Sequence, residues 1–357
     1  MSPSTLQHLL GLRLPVIQAP MAGSQGSALA LAVTNAGGLG SLPAATLSPA
    51  QLRAELEVMR GAAQGPWNLN FFCHQPPPTD PQREAAWRAA LAPLCAEAGL
   101  PAPEGPALAA RAPFDAAVAD LVEPFRPPVV SFHFGLPAPE LLARVKSWGS
   151  TVLSSATTVE EALWLQAHGA DAIIAQGLEA GGHRGLFLGE DLTTQLGTFA
   201  LLPQLVRAVE LPVIAAGGIA DAAGVAAARA LGAAAVQVGT AYLLCPESQT
   251  GALHRAALQS GAAGHTALTN VFTGRPARGI VNRAMRALGA AGRSGGCISA
   301  QVPAFPLAAT HLAPLRAWAE AQGRDDFTPL WAGQAASLAR AMPAADLTRA
   351  LAGGWRG

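Results

Sequence analysis

The sequence predicts an α/β protein of the TIM-barrel class, in which eight parallel strands alternate with helices. Three observations lead to this prediction. Apolar stretches of strand length alternate with helical patterns, and eight of them precede Leu244. The seventh and eighth stretches end in glycine-rich turns, where barrels of this class bind phosphate. The chain has 357 residues, and since a barrel takes about 250, roughly a hundred remain for additions.

The strands follow from short apolar stretches that end at glycine, proline or a polar residue. The third and fourth are separated by an interval too long for a simple loop, with a helical pattern near Gln82–Ala98. The predicted strands are Pro15–Gly23, Leu39–Pro43, Trp67–Phe72, Pro128–Gly135, Thr151–Ala156, Asp171–Gln176, Pro212–Ala216 and Ala234–Leu243.

Helical patterns follow most of these strands. Ser48 is a suitable N-cap with Pro49 at the first helical position. After Leu244 the sequence is rich in Gly, Ala and Arg, with a strand-like stretch at Ala267–Phe272. The predicted helices are Gln25–Ala36, Ser48–Gly61, Pro139–Ser147, Val159–His168, Thr198–Val209, Asp221–Leu231, Leu307–Gln322, Trp331–Ala341 and Ala344–Leu351.

These elements divide the chain into three parts. We expect residues 1–73 and 128–250 to form the barrel and residues 74–127 to form an insertion over its mouth. Residues 251–357 are expected to form a C-terminal cap or helical region.

Composition excludes several functions. Charged residues make up 13%, with 23 basic and 23 acidic, and no basic stripe predicts nucleic-acid binding. Lys146 is the one lysine and lies in a helical pattern, so neither a P-loop nor a barrel Schiff base is expected. The four cysteines form no CxxC pair, which argues against a zinc site or a disulfide framework. Without an evident signal peptide or an 18-residue apolar run, we expect a cytoplasmic protein that does not enter membranes.

Alternation along the strands predicts which side chains face the barrel axis. In the fourth strand Val130, Phe132 and Phe134 are expected to face the helices. The inward residues would then be polar, which is costly unless they are hydrogen-bonded. They converge at the carboxyl ends of the strands, where TIM-barrel active sites lie. The predicted inward residues are Asn68, Asn70, Ser131, His133, Gln176 and Gln237.

Glycines predict a phosphate site at the ends of the seventh and eighth strands. Gly217 and Gly218 precede a predicted helix, and Gly239 follows Gln237-Val238. Glycine lets backbone N–H groups approach phosphate, although tight βα turns also require it. No G-x-G-x-x-G occurs, so a Rossmann site is not supported. The phosphate could belong to FMN or to a phosphosugar.

Several of these segments together resemble the nitronate monooxygenase family, formerly called 2-nitropropane dioxygenase. The matches occur in order over nearly the whole chain. The resemblance implies FMN, a TIM barrel with a smaller cap, and the oxidation of alkyl nitronates by O₂ to carbonyl compounds and nitrite. The matching segments are Pro15–Gly23, Asn70–His74, Ser131–Gly135, Gln176–Gly185, Ala216–Ile219, Gln237–Thr240 and Trp331–Gln334.

The resemblance also implies roles for individual residues. His133 corresponds to the active-site histidine of the family, and we expect it to bind the nitro oxygens or to take a proton. His183 lies in a glycine-rich loop and is expected to contact substrate. Some relatives line the substrate pocket with tyrosines, but Tyr242 is the one tyrosine here. The residues implied to hold FMN are Met21, Ala22, Gly23, Asn70, Gln176, Gly181, Gly217, Gly218, Gln237, Val238, Gly239 and Thr240.

Alternatives remain for the function. A flavin-dependent enoyl-acyl-carrier-protein reductase shares the glycine-rich elements and a loop like Gly182–Gly185, and it would oxidise NAD(P)H. A non-catalytic flavin-binding protein is a second alternative. A phosphosugar isomerase or lyase is a third, but the predicted inward residues include neither a carboxylate nor a lysine.

Overall fold

Eight parallel strands form the central sheet of the protein, and the two edge strands of this sheet meet. The computed structural model describes residues 3–107, 111–289 and 297–355. The parallel strands follow the order β1-β9-β8-β6-β5-β4-β3-β2. The strands are β1 Val16–Gln18, β2 Gly40–Pro43, β3 Trp67–Phe72, β4 Val129–His133, β5 Thr151–Ala156, β6 Ala172–Gln176, β7 Gly182–His183, β8 Val213–Ala216, β9 Ala235–Val238, β10 Thr266–Thr269 and β11 Ala277–Ile280.

The barrel closes between β1 and the residue before β2. The Gln18 N–H donates to the Leu39 carbonyl at 2.9 Å, and the Leu39 N–H donates to the Val16 carbonyl at 2.9 Å. The predicted TIM barrel is confirmed, and all eight predicted strand positions contain a barrel strand. The first and last of these strands are shorter than predicted, because the chain turns after Gln18 and after Val238.

Helices surround the barrel. α3 begins as predicted, since the Ser48 hydroxyl accepts from the Gln51 N–H and Pro49 occupies the first turn. No described helix combines the length and hydrophobicity needed to cross a membrane. The helices are α1 Pro3–Leu10, α2 Ser27–Ala36, α3 Pro49–Ala62, α4 Pro81–Glu97, α5 Ala116–Val122, α6 Pro139–Ser147, α7 Val159–Ala167, α8 Thr198–Ala208, α9 Ala222–Ala230, α10 Ala252–Leu258, α11 Arg283–Gly289, α12 Ala308–Ala321 and α13 Ala344–Gly353.

Alternating strand residues produce two apolar layers. Outward residues such as Val236 pack against the surrounding helices. Inward residues such as Ile17 and Ile214 fill the amino-terminal end of the barrel, where Leu6 and Leu10 of α1 cover them. This end is closed by apolar packing, and most polar inward residues lie nearer the opposite end, where the strands terminate; Asn68, near the start of β3, is an exception.

The C-terminal part of the chain meets both the barrel and the 74–127 segment. α13 packs against α2 and α9 on the outside of the barrel. Trp87 and Leu91 of α4 share a core with Leu312 and Leu315 of α12. A second, three-stranded sheet in the order β10-β11-β7 connects this region to the loop that follows β6. The loop after β6 is therefore attached at one end to the barrel and, through β7, to the C-terminal region.

Two sequence predictions were wrong in detail. Trp331–Ala341 is not an α-helix; Trp331 instead bridges to Gly279, and a single 3₁₀ turn covers Ala336–Leu338. Phe134 does not face the surrounding helices. It follows β4 with a positive φ of 71° and packs with Phe72 and Phe305. The left-handed backbone at Phe134 ends the alternation one residue earlier than the pattern suggested.

Candidate active site

A cavity opens at the carboxyl ends of the barrel strands. Of the predicted site residues, all but Gly23 and Val238 line it. Gly23 lies between Ala22 and Ser24, which do line the cavity, and the Val238 side chain is directed outward into the apolar layer. The predicted residues that line it are Met21, Ala22, Asn70, His133, Gln176, Gly181, His183, Gly217, Gly218, Gln237, Gly239 and Thr240.

One end of the cavity is formed mainly by backbone, and we call Gly217, Gly218, Gly239 and Thr240 the glycine edge. Gly217 has φ +111° and Gly218 has φ +73°, a region that side chains disfavour. A Cβ on Gly217 would lie 3.0 Å from the Ala180 nitrogen. Backbone amides at this edge can therefore approach a ligand closely, and helix α9 begins a few residues later.

Glu179, which the sequence analysis did not single out, lies beside the glycine edge. Its carboxylate accepts from the Thr198 N–H at 2.7 Å and from the Thr198 hydroxyl at 2.9 Å. Thr198 is the first residue of α8, where a negative charge is stabilised by the helix dipole. The carboxylate therefore anchors the loop after β6 to α8.

Polar side chains converge inside the barrel as alternation predicted. The Asn68 amide donates to the Ser41 hydroxyl at 3.0 Å and to the Ser131 hydroxyl at 2.9 Å. The Asn70 amide also donates to the Ser131 hydroxyl at 2.9 Å. These side chains are buried, and the hydrogen bonds of the amide nitrogens fix Asn70 at the edge of the cavity, whereas the Asn68 side-chain oxygen has no partner among the described residues.

Gln237 of β9 is a further polar residue that faces inward. Its side-chain oxygen is buried and has no hydrogen-bond partner among the described residues. Gln237 lines the cavity. Buried acceptors without a partner are costly, so this oxygen is suited to accept a hydrogen bond from a bound molecule.

Gln176 fixes the loop that follows β6. Its amide nitrogen donates to the His183 carbonyl at 2.9 Å, and its oxygen accepts from the Gly185 N–H at 2.7 Å. Arg184 is fully buried and donates to the carbonyls of Gln176 at 2.7 Å and Gly177 at 2.6 Å. Burial lowers the pKa of Arg184 to about 10. This loop therefore presents His183 and Gly181 to the cavity from a rigid base.

The opposite end of the cavity contains two histidines with depressed pKa values. Burial, followed by the nearby charge of Arg275, lowers the pKa of His133 to about 3. Burial and the charge of Arg111 hold the pKa of His183 well below its ordinary value. The His183 Nε2 lies 2.9 Å from the Thr273 hydroxyl. Both rings are therefore neutral at pH 7.

Two arginines that the sequence analysis missed lie near these histidines. Arg111 lines the cavity, and the Arg275 guanidinium lies 4.0 Å from the centre of the Phe134 ring. Arg275 also donates to the Leu186 carbonyl, while its Nε is buried without a partner among the described residues. We call His133, His183, Arg111 and Arg275 the histidine side. Arg111 lines the cavity and the charge of Arg275 acts on both histidines, so this side of the cavity favours an anionic ligand.

Other candidates from the sequence lie outside the cavity. The Tyr242 hydroxyl is buried and lies 2.8 Å from the Thr348 hydroxyl, so its role is structural. Lys146 forms a partly exposed ion pair with Asp171 at 2.8 Å. His74 is buried behind Phe305, and burial lowers its pKa to about 4.

Comparison with known proteins gives a consistent result. The sequence model of the nitronate monooxygenase family matches residues 3–354. A nitronate monooxygenase from Pseudomonas aeruginosa is 44% identical, with 98% of each chain covered. One from Paraburkholderia phytofirmans is also 44% identical, over 97% of this chain and 93% of its own.

Solved structures agree with this. A nitroalkane oxidase from Streptomyces ansochromogenes superposes with a TM-score of 0.85 at 38% identity, covering 98% of this chain and 97% of its own. FabK from Thermotoga maritima is more distant, with a TM-score of 0.72 at 25% identity, covering 99% and 96%.

Proposed function

The chain belongs to the nitronate monooxygenase family, and on that basis we propose that it uses FMN to oxidise alkyl nitronates with O₂, giving a carbonyl compound and nitrite. One observation carries the proposal. The same cavity has a backbone-lined edge suited to phosphate at one end and a cationic, histidine-containing end suited to an anion at the other.

The residues present fit FMN. The glycine edge offers backbone amides without interfering side chains, as a phosphate requires. The unpartnered oxygen of Gln237 can accept from an N–H of the flavin ring. Met21, Ala22 and Gly181 supply apolar and backbone lining, and Asn70 of β3 adds a side-chain amide. Bound FMN would supply the electron acceptor and the reaction with O₂.

The histidine side then binds the nitronate. The charges of Arg111 and Arg275 attract the anion, and their partial burial strengthens this attraction relative to water. His133 and His183 line the cavity, and the charge of Arg275 acts on both rings, while that of Arg111 acts on His183. A neutral imidazole can donate one hydrogen bond to a charged nitro oxygen without bringing in another charge.

The test begins with the purified protein. We expect a yellow protein from which acid releases FMN, identified by mass spectrometry. Under anaerobic conditions a pre-formed alkyl nitronate is expected to bleach the flavin absorbance faster than NADH or NADPH does. FAD, or no flavin after reconstitution, would contradict the cofactor assignment. Faster bleaching by NADPH would favour the enoyl reductase instead.

A further inference from the structure

Both ring nitrogens of His133 have a partner within the protein. The Nδ1 atom lies 2.6 Å from the Ser155 hydroxyl oxygen, and the Nε2 atom lies 3.3 Å from the His183 carbonyl oxygen. These two partners differ in chemistry. A hydroxyl can either donate or accept, whereas a carbonyl can only accept. The pair therefore constrains which nitrogen carries the proton.

The His183 carbonyl is held in place independently of His133. It accepts a second hydrogen bond from the Gln176 amide at 2.9 Å. His183 also belongs to β7 and pairs with Ala277 of β11. A proton on Nε2 satisfies this carbonyl, whereas a proton on Nδ1 would leave two lone pairs facing each other at 3.3 Å.

The remaining nitrogen then requires a donor, and Ser155 is the one that supplies it. Ser155 lies on β5, is buried and lines the cavity. Gly185 makes the close arrangement possible, because a Cβ there would lie 2.8 Å from the Ser155 oxygen and 2.9 Å from the His133 Cε1. The doubly protonated ring is disfavoured because burial and Arg275 oppose a further charge.

We propose that Ser155 is a positioning residue that holds His133 as the Nε2–H tautomer, so that the ring donates a hydrogen bond to a pre-formed nitronate and does not serve as a base toward a neutral nitroalkane. The inference rests on the proposed function and specifies the form of substrate that the site accepts. At 3.3 Å the bond to the carbonyl is long, so the same N–H remains available to a charged nitro oxygen, which is the stronger acceptor.

Nuclear magnetic resonance of the protein with ¹⁵N-labelled histidine tests the tautomer directly. Subtracting the spectrum of His133→Asn identifies the His133 signals. We expect the wild type to carry its proton on Nε2 from pH 6 to pH 8. Ser155→Ala is expected to give a mixture of tautomers, and Ser155→Thr, which keeps the hydroxyl, is expected to restore the wild-type state.

The kinetic test compares kcat/KM for a nitronate with kcat/KM for its neutral nitroalkane. We expect Ser155→Ala to lower the nitronate-to-nitroalkane ratio of kcat/KM by about tenfold, the effect of one hydrogen bond. Ser155→Thr is expected to stay close to wild type. Ser154→Ala is the matched control. Ser154 is the neighbouring buried serine, but its hydroxyl donates to the Phe132 and Gly135 carbonyls instead of a histidine, so the ratio should not change.

Two results would overturn the inference: a wild-type His133 protonated on Nδ1, or a Ser155→Ala protein with an unchanged tautomer and an unchanged ratio. The wild-type spectrum decides the tautomer even if the alanine variant does not fold. A wild type that lacks nitronate oxidation would reject the proposed function and leave the tautomer measurement intact.

Discussion

The two ends of the cavity are built in different ways. The glycine edge comes from the turns after β8 and β9, which are neighbours in the barrel. The histidine side combines β4 and the loop after β6 with Arg111 and Arg275, which lie in segments added to the barrel. The proposed cofactor end thus comes mainly from barrel turns, with the Gly333 N–H donating to the Thr240 hydroxyl, whereas additions complete the proposed substrate end. Under the proposed assignment, we expect substitutions in the added segments to alter substrate preference more than flavin binding.

The largest effect is expected from a substitution at the glycine edge, which should weaken flavin binding. Gly218→Val places a branched side chain at φ +73°, which costs about 1–3 kcal/mol and also blocks the backbone approach. Together with the loss of amide contacts to a phosphate, flavin binding should weaken by about 100- to 1000-fold. Titration of the apoprotein with FMN measures this change.

Gly149→Val is the matched control for this variant. Gly149 has φ +86° in a turn far from the cavity, and no neighbouring atom would meet its Cβ. Similar backbone strain is therefore expected there, with unchanged flavin affinity. Equal loss of affinity in both proteins would show that strain alone, and not the glycine edge, controls flavin binding.

The second effect concerns the histidine side. His133→Asn should retain FMN but lose a hydrogen bond to a charged oxygen, worth about 1.5–3 kcal/mol. We expect kcat/KM for pre-formed nitronate to fall by about 10- to 100-fold. His168→Asn, which alters an exposed histidine stacked on Trp164, is the control. Wild-type rates in His133→Asn would transfer the role to His183.

The third effect concerns how the free energy of unfolding depends on pH, which should differ between wild type and His133→Asn. The pKa of His133 is about 3 in the folded protein, against an ordinary value of 6.5. The unfolded chain therefore binds the extra proton between these pH values, and the free energy of unfolding falls as the pH decreases from 6.5 toward 3. The slope contributed by His133 is at most about 1.4 kcal/mol per pH unit.

Urea unfolding at pH 7 and pH 5 measures this sensitivity. His133→Asn should lose less stability between the two pH values than the wild type does. Gly218→Val should keep the wild-type difference, since this substitution neither adds nor removes a titrating group. An identical pH dependence in His133→Asn and wild type would contradict the depressed pKa of this histidine.

The smallest effect is expected outside the cavity. Lys146→Ala removes a partly exposed ion pair with Asp171, worth about 0–1 kcal/mol. Turnover and flavin content should stay near wild type, as steady-state kinetics and the visible spectrum would show. A complete loss of activity would indicate imine chemistry and reject the assignment of both ends of the cavity.

The sequence predicted the glycine edge more completely than the histidine side. Gly217, Gly218 and Gln237 lie in short segments whose strand alternation and turn residues are local signals. Arg111 lines the cavity and Arg275 lies on the Phe134 ring through contacts between distant segments, which no local period encodes. One feature of the sequence could have marked Arg275 as a candidate site residue. It is a charged residue between glycine and proline, shortly after the apolar Val271-Phe272.

The missed secondary structure has the same physical cause. β7 has two residues and exists because Gly182 and His183 pair with β11, almost a hundred positions later in the sequence. A pattern of two residues has no period to detect. Trp331–Ala341 has enough apolar residues for a helix, but Trp331 bridges to Gly279, and Gly333 packs so closely that a Cβ would lie 2.7 Å from the Glu179 carbonyl oxygen.

The position of α13 has a consequence for how the protein is made. β9 is followed by a 3₁₀ turn at Thr240–Leu244, and α13 covers the barrel between α2 and α9 instead. Leu347 and Leu351 of α13 pack with Val33 and Val236 in one apolar layer. During translation these valines leave the ribosome long before α13 does. The nascent barrel therefore exposes an apolar strip that chaperones can bind, and a premature stop codon before α13 would leave it exposed permanently.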